Sequence, residues 1–313
     1  MVLVTGATGF IGAALVSRFS ETGRVLACDY REPDSALAQR WGGRVEFEKC
    51  DVRDANAVRS LVQKAGKEGP VIHLAGILTA GCDLNPEAAI QVNLQGFFNV
   101  IDASSKAGKG PVVLASTIGV YGRGLPQPID ETMRTEPDGW YGYTKLSSEL
   151  MGLLYERREG VDFRAVRFAA VTGAGRSASS GSASLFTSFI AEKAARGEPY
   201  EIEVTEDTAY PVVYIRDAVD ALFALATAKN APRRIYNVSS GRVIVSEMID
   251  YVRSRIPGAK FSFKPSPVVM AVVSGYKEWD IGCDRIREDL GWKPSFGVQA
   301  MIDDIIDTVR GGK

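Results

Sequence analysis

"TGATGFIG", residues 5–12, sets Gly6, Gly9 and Gly12 as G-x-x-G-x-x-G between the strand-like run "VLVTG" and the helical segment "FIGAALVSRFSETG". Glycines at that spacing let a chain turn tightly from strand to helix. They also let the backbone approach a diphosphate, which then sits on the unpaired N–H groups and positive end of the helix. Tight turns use glycine for other reasons too, so the surroundings decide. Outward from this turn, "RVLACD", "RVEFEKC", "PVIHLAG", "PVVLAS" and "VDFRAVRF" are short apolar runs separated by segments such as "DANAVRSLVQKAG". Parallel strands buried on both faces read as near-continuous apolar runs, so this βαβα rhythm predicts an α/β fold with a doubly wound parallel sheet.

The rhythm persists to about residue 168 and gives way to "VTGAGRSASSGSAS", a Gly/Ser segment with the composition of a mobile loop. Helical patterns at "LFTSFIAEKAARG" and "IRDAVDALFALATAK" follow, then a strand-like "RIYNVSS", and finally "SEMIDYVRSRI" and the tail from Asp284, which are expected to build a cap. The expected organisation is a Rossmann domain over 1–168, with 209–239 returning to it. A smaller C-terminal α/β substrate-binding cap is expected from 169–208 and 240–313.

Of 313 residues, 45% are hydrophobic and 24% charged, and the formal net charge is −1. With no basic excess, neither nucleic acid nor an anionic membrane surface is an expected partner, which leaves a small molecule. No apolar stretch reaches the ~18 residues needed to span a bilayer, and the strand-like run begins directly after Met1, so a cytoplasmic location is expected. Cys28, Cys50, Cys82 and Cys283 are scattered and suggest neither a zinc site nor a disulfide framework. His73 is the only histidine, which excludes a multi-histidine metal centre, and no metal is expected.

Asp29 closes "RVLACD" about 20 residues beyond the glycines, where a carboxylate can accept hydrogen bonds from both ribose hydroxyls of an adenosine. That geometry selects NAD, although Arg31 nearby leaves NADP open. In "WYGYTKLSSEL", residues 140–150, Tyr141 and Lys145 lie one helical turn apart. The pair alone does not separate a proton-transfer device from a solvated helix face.

Together with "CDVRD" at 50–54, "HLAG" at 73–76, "VNLQGFFNV" at 92–100, "LASTIGVYG" at 114–122 and "YGYTK" at 141–145, these segments resemble the extended short-chain dehydrogenase/reductases. These are also described as NAD-dependent epimerase/dehydratases, and the likeness extends to "REDLGWKPS" near the C-terminus. The resemblance implies that Gly6, Thr8, Gly9, Phe10, Ile11, Gly12 and Asp29 hold NAD. Asp51 and Val52 would flank the adenine, Leu74, Ala75 and Gly76 would run beside the nicotinamide ribose, and Phe168 would also touch the cofactor. It implies Tyr141, Lys145 and Thr117 (not Ser116) as the catalytic set, with Asn93 supporting the active-site helix, and a structural role for His73. A phenol near pKa 10 is too weak a base at neutral pH unless a nearby ammonium and the cationic nicotinamide favour the phenolate. Lys145 is placed to supply that charge, so the resemblance gives the spacing its reason.

Departures from the family's patterns narrow the substrate. Ile118 and Gly119 follow Thr117 where dehydratases carry an Asp-Glu pair. Ala170 and Tyr210 stand where many sugar-nucleotide enzymes place an asparagine and an arginine on the diphosphate. "HLAGILTAGCDLNPEAAIQVN" and "YPVVYIRDAVDAL" are similar to short-chain L-threonine 3-dehydrogenases, and "RSASSGSASLFTSFI" resembles D-erythronate-type dehydrogenases. Ala169 and Ala170 replace the proline-glycine pair usual in the threonine enzymes. The expected activity is NAD-dependent oxidation of a secondary hydroxyl on a small hydroxy acid, sugar acid or amino-acid-like substrate. Leu78, Thr117, Gly119, Tyr141, Arg176 and Ser179 are the expected contacts, with Arg176 as carboxylate anchor. A nucleotide-sugar 4-epimerase and a non-catalytic dinucleotide-sensing regulator stand as alternatives. Relatives pair the helices corresponding to 86–106 and 139–157 across a twofold axis, so Ala89, Val92, Phe97, Leu150 and Leu153 are expected to serve a homodimer.

Overall fold

The structure, a computed structural model, describes residues 1–311. Its strands are β1 (Val2–Thr5), β2 (Val25–Asp29), β3 (Val45–Lys49), β4 (Val71–His73), β5 (Val112–Thr117) and β6 (Phe163–Phe168). The later ones are β7 (Ala170–Thr172), β8 (Tyr200–Ile202), β9 (Ala209–Tyr214), β10 (Ile235–Val238), β11 (Gly241–Ile244) and β12 (Phe261–Phe263). Seven of them form one sheet in the order β10-β6-β5-β4-β1-β2-β3, and every pairing in it is parallel. The apolar runs explain this, since β2 and β6 are buried at every position and therefore need cover on both faces. One face packs Leu15, Phe19, Leu222 and Leu225 of the helices Phe10–Ser20 and Ile215–Thr227. The other packs Leu61, Val62, Phe97 and Ile101 of the helices Ala55–Ala65 and Gly96–Ala107.

From β1 the chain winds outward to β3 and then returns to place β4 on the opposite side of β1. This reversal opens a crevice at the carboxyl ends of β1 and β4, the usual ligand position in such sheets. There the Leu74 N–H donates to the Thr5 carbonyl at 3.1 Å, which fixes the loop after β4 against the glycine turn.

The segment expected as one helix over 86–106 is instead Pro86–Ala89, a wider π turn Ile90–Gln95, and Gly96–Ala107. The π turn places Asn93 inward at 2% exposure, where tertiary hydrogen bonds take over from helical ones. A third core lies away from the main sheet. Phe186, Ile190, Tyr210, Val243, Met248, Ile302 and Ile305 join the helices Phe186–Ala195, Val245–Arg255 and Val298–Gly311 to the small sheet β11-β9-β7. Between β9 in that sheet and β10 in the large one, the helix Ile215–Thr227 packs beside Phe10–Ser20. No helix among the described residues is long and apolar enough to cross a membrane.

Candidate active site

The three glycines do different jobs. Gly6 has φ +70°, and a Cβ there would stand 2.6 Å from the Ala75 nitrogen, while a Cβ on Gly12 would meet the Gly6 carbonyl oxygen at 2.1 Å. These two let turn, helix and β4 loop close on one another. Gly9 meets only the Gly6 oxygen, at 3.2 Å, and it caps the helix Phe10–Ser20 without any side-chain cap. The first-turn N–H groups are therefore open toward the cavity, and no acidic residue stands in that turn. Thr8 donates its N–H to Asp29 Oδ2 at 3.1 Å, and its enclosed hydroxyl has no partner. Asp29 also accepts from the Arg31 N–H at 3.2 Å, so its carboxylate is held in place with lone pairs to spare. An open helix end and a fixed strand-end acid together fit a dinucleotide.

Beside Asp29 and Asp51 the structure brings together two cysteines that are far apart in sequence. Cys28 and Cys50 both line the cavity, and the hydrogen bond with the Cys50 thiol, with burial, holds the Cys28 thiol well above its usual pKa. Asp51 is gripped by Arg53, whose Nε and Nη2 donate at 3.0 and 2.6 Å.

The helix Trp140–Glu159 carries Tyr141 and Lys145 on one face, with the Lys145 ammonium 5.8 Å from the centroid of the Tyr141 ring. Burial lowers Lys145 to about 8. Burial also pushes the Tyr141 phenol up, and Cys82 and Tyr276 add to the rise. The protein alone thus does not lower the phenol, in keeping with an expectation that asked for the cationic nicotinamide as well as the Lys145 ammonium. Asn93 ties the neighbourhood together. Its Oδ1 accepts the Ile77 N–H at 2.8 Å, and its Nδ2 donates to the Ile77 carbonyl at 3.1 Å and to Thr144 Oγ1 at 3.0 Å. Ser116 spends its hydroxyl on Glu149, whereas Thr117 Oγ1 accepts only the Gly119 N–H, at 3.1 Å, and lines the cavity. The neighbour of Thr117 is thereby withdrawn from chemistry. His73 is buried, bonds Thr5 Oγ1 at 2.8 Å through Nδ1, and is held neutral by burial at a pKa of about 3.

One cavity of about 1850 Å³ runs from Asp29 past Thr117 to the Gly/Ser loop. All of the sequence-predicted site residues line it except Asn93, which holds the loop behind it. Leu78, Phe168 and Gly119 are on its walls, and Ser179 stands on the loop, where its hydroxyl bonds that of Ser177 at 2.9 Å. The loop is not free, because the Ala80 N–H donates to the Gly181 carbonyl at 3.0 Å. Arg176 donates to the Ser182 hydroxyl at 2.7 Å and the Ser184 carbonyl at 3.1 Å, and no carboxylate among the described residues pairs with it. Burial lowers it to about 10, so it stays charged at neutral pH with N–H groups left to donate.

Sequence reasoning missed Tyr276 and Trp279, which the C-terminal module brings to the same cavity. It also missed Glu149, although Glu149 follows Lys145 by one helical turn and that spacing was a usable signal.

The chain is 27% identical over 318 residues to an uncharacterized epimerase/dehydratase of Staphylococcus saprophyticus, covering 99% of this chain and 97% of that one. Against the mitochondrial L-threonine 3-dehydrogenase of Bos taurus it is 27% identical over 315 residues, covering 98% and 82%. The solved apo structure of a monomeric L-threonine 3-dehydrogenase of metagenomic origin superposes with a TM-score of 0.90 at 27% identity, covering 99% of each chain. Residues 2–239 match the NAD dependent epimerase/dehydratase family. That match spans the glycine turn, the strand-end acid and the Tyr/Lys helix alike, and the chain belongs to this family as an oxidoreductase that uses NAD.

Proposed function

We propose that the protein oxidises a secondary hydroxyl on a small carboxylated substrate, a hydroxy acid, sugar acid or amino-acid-like molecule. The observation that carries this reading is Arg176, a guanidinium without a carboxylate partner among the described residues, facing the same cavity as Thr117 and Tyr141. Its remaining N–H groups suit a carboxylate, and its tie to Ser182 and Ser184 sets their direction. When bound, NAD supplies a hydride acceptor and a positive charge beside the phenol. Tyr141 then takes the hydroxyl proton, Thr117 donates a hydrogen bond to the same oxygen, and Lys145 keeps a cation close to the phenol. Asn93 positions the Ile77 loop against the helix that carries both.

A nucleotide-sugar 4-epimerase would use the same groups, and the cavity volume of about 1850 Å³ is the observation in its favour. Against it, Arg216, a candidate for replacing the absent diphosphate contact, is engaged by Asp304 at 2.8 Å, and Tyr210 contributes no charge. Losing charge-assisted contacts forfeits ~1.5 to 3 kcal/mol each. The NAD-loaded protein is expected to release NADH with four- to six-carbon sugar or hydroxy acids and to bind UDP poorly. Micromolar UDP binding with no acid yielding NADH would replace this reading with the epimerase.

Asp29 bears on cofactor choice. A 2′-phosphate would stand against its carboxylate, which costs more than ~1.4 kcal/mol, so NAD should be preferred over NADP by at least about tenfold. Equal kinetics with both would assign the pocket to Arg31.

The protein is also proposed to pair with a second copy of itself. Ala89 and Phe97, two of the positions expected to serve a dimer, are buried within the subunit. Leu150, also among those positions, is exposed at 58%, and the same helices expose Ile90, Phe98, Trp140, Tyr143 and Leu154. An apolar strip on two adjacent helices is the kind of surface a twofold contact covers. Light scattering at micromolar concentration should give twice the chain mass, and a monomer would remove the proposal.

A further inference from the structure

The wall that the C-terminal module presents to the cavity carries polar groups that neither the cofactor nor the proton-transfer helix uses. Tyr276 packs between Tyr210 of β9, with ring centroids 5.0 Å apart, and Trp279, at 4.5 Å. All three line the cavity. The Tyr276 hydroxyl lies 3.5 Å from the point where a Cβ on Gly119 would stand, and that same point is 3.4 Å from Thr117 Oγ1. The cap therefore delivers a phenol to the immediate neighbourhood of the Thr117 hydroxyl, the group proposed to donate to the substrate oxygen.

Neither phenol is satisfied by the protein. Among the described residues, no hydrogen bond is made by the hydroxyl of Tyr276 or of Tyr210, although Tyr210 is only 8% exposed. Neither oxygen is sealed away as Thr8 Oγ1 and His73 Nε2 are, so both are reachable from the cavity. Buried tyrosines ordinarily find a partner for the hydroxyl, because the phenol is otherwise desolvated for nothing. Two such rings in contact, beside the uncommitted N–H groups of Arg176, make a donor set that waits on a ligand. Burial pushes Tyr276 up to about 12 and Tyr210 well above its usual value, so both keep their protons at neutral pH and can donate as well as accept.

We propose that Tyr210 and Tyr276 form a subsite for additional hydroxyl groups of the substrate. The substrate class is then a polyhydroxylated carboxylate, running from Arg176 past Thr117 and Tyr141 to the two phenols, and not an acid whose far end is a methyl group. This rests on the dehydrogenase reading given above. A site built to hydrogen-bond a hydroxyl rejects the analogue that lacks it, since its own polar groups are then left desolvated and unpaired.

The test compares kcat/KM, followed by NADH absorbance with saturating NAD, for the stereoisomers of 2,3,4-trihydroxybutanoate, for 3-hydroxybutanoate and for L-threonine. The wild-type protein should prefer one trihydroxy acid over both others by on the order of tenfold or more. In Tyr276→Phe and in Tyr210→Phe, which keep the packed rings, that ratio should fall at least about fivefold, chiefly through KM for the trihydroxy acid. Either variant suffices if the other fails to fold. The subsite is overturned, with the dehydrogenase reading intact, if the wild type oxidises 3-hydroxybutanoate or L-threonine as efficiently as every trihydroxy acid. It is equally overturned if both variants keep the wild-type ratio. If no acid yields NADH from protein that binds NAD by calorimetry, the dehydrogenase reading falls and takes the subsite with it.

Discussion

Tyr141→Phe should lower the turnover number for alcohol oxidation by a factor on the order of a hundred or more while NAD still binds. The substitution deletes one oxygen and leaves the ring, so the 5.8 Å approach of the Lys145 ammonium to that ring survives. No hydrogen bond to another protein group is lost, because the Tyr141 hydroxyl makes none among the described residues. The fall would therefore report proton transfer and not folding. The pH profile gives a second readout. A base works only when deprotonated, and burial holds this phenol above its ordinary value, so wild-type kcat/KM should climb with pH through the neutral range. The residual activity of the variant should lack that climb. Loss of NAD binding with the activity would make Tyr141 a structural residue, and an unchanged turnover number would move the base elsewhere.

What the sequence shows and what it hides divide along a physical line. The strands of the large sheet were legible because burial on both faces turns them into apolar runs, as in "VLACD" and "FRAVRF". The glycine turn and Asp29 were legible because each depends on spacing within one or two adjacent elements, whereas the Tyr141/Lys145 pair became legible only through the family resemblance that gives its spacing a role. The π turn at Ile90–Gln95 was not, since it is held by the bonds of Asn93 to Ile77 and to Thr144, 51 positions away. The phenol wall was hidden for the same reason. Tyr210 and Tyr276 sit in separate elements of the C-terminal module, and nothing local to either marks them as neighbours of one another or Tyr276 as a neighbour of Thr117. Amphipathic periodicity likewise could not tell Phe97, which packs on Phe163, from Phe98, which is 39% exposed. Adjacent aromatic residues on a helix point to different faces, and only the tertiary packing says which face is covered.

The largest stability effect is expected from the salt bridge behind the site. Glu149 and Arg167 are 1% and 4% exposed, joined by an Nη2–Oε2 contact of 2.6 Å and by Nε bonds to the same carboxylate. Burial pulls the guanidinium pKa down, but Glu149 more than reverses that, and the net direction is up. Arg167 continues into a chain of partners. Its Nη1 donates to the Tyr121 hydroxyl at 2.9 Å, which donates to Asn237 Oδ1 at 2.8 Å, while Ser116 donates to Glu149 from the other side. A buried pair of this kind adds little net stability over apolar residues of the same size, because desolvation offsets the attraction. Removing one member is different, since the other charge is left in the core without a partner. Glu149→Ala and Arg167→Met should each cost about 3–5 kcal/mol in urea unfolding, while the double variant should cost less than the sum of the two. The same change reaches the chemistry, since Glu149 favours the charged form of Lys145 one turn away. Single variants that unfold within about 1 kcal/mol of wild type would show that water or a shifted side chain replaces the missing partner, and that the pair does not hold the helix Trp140–Glu159 against β6.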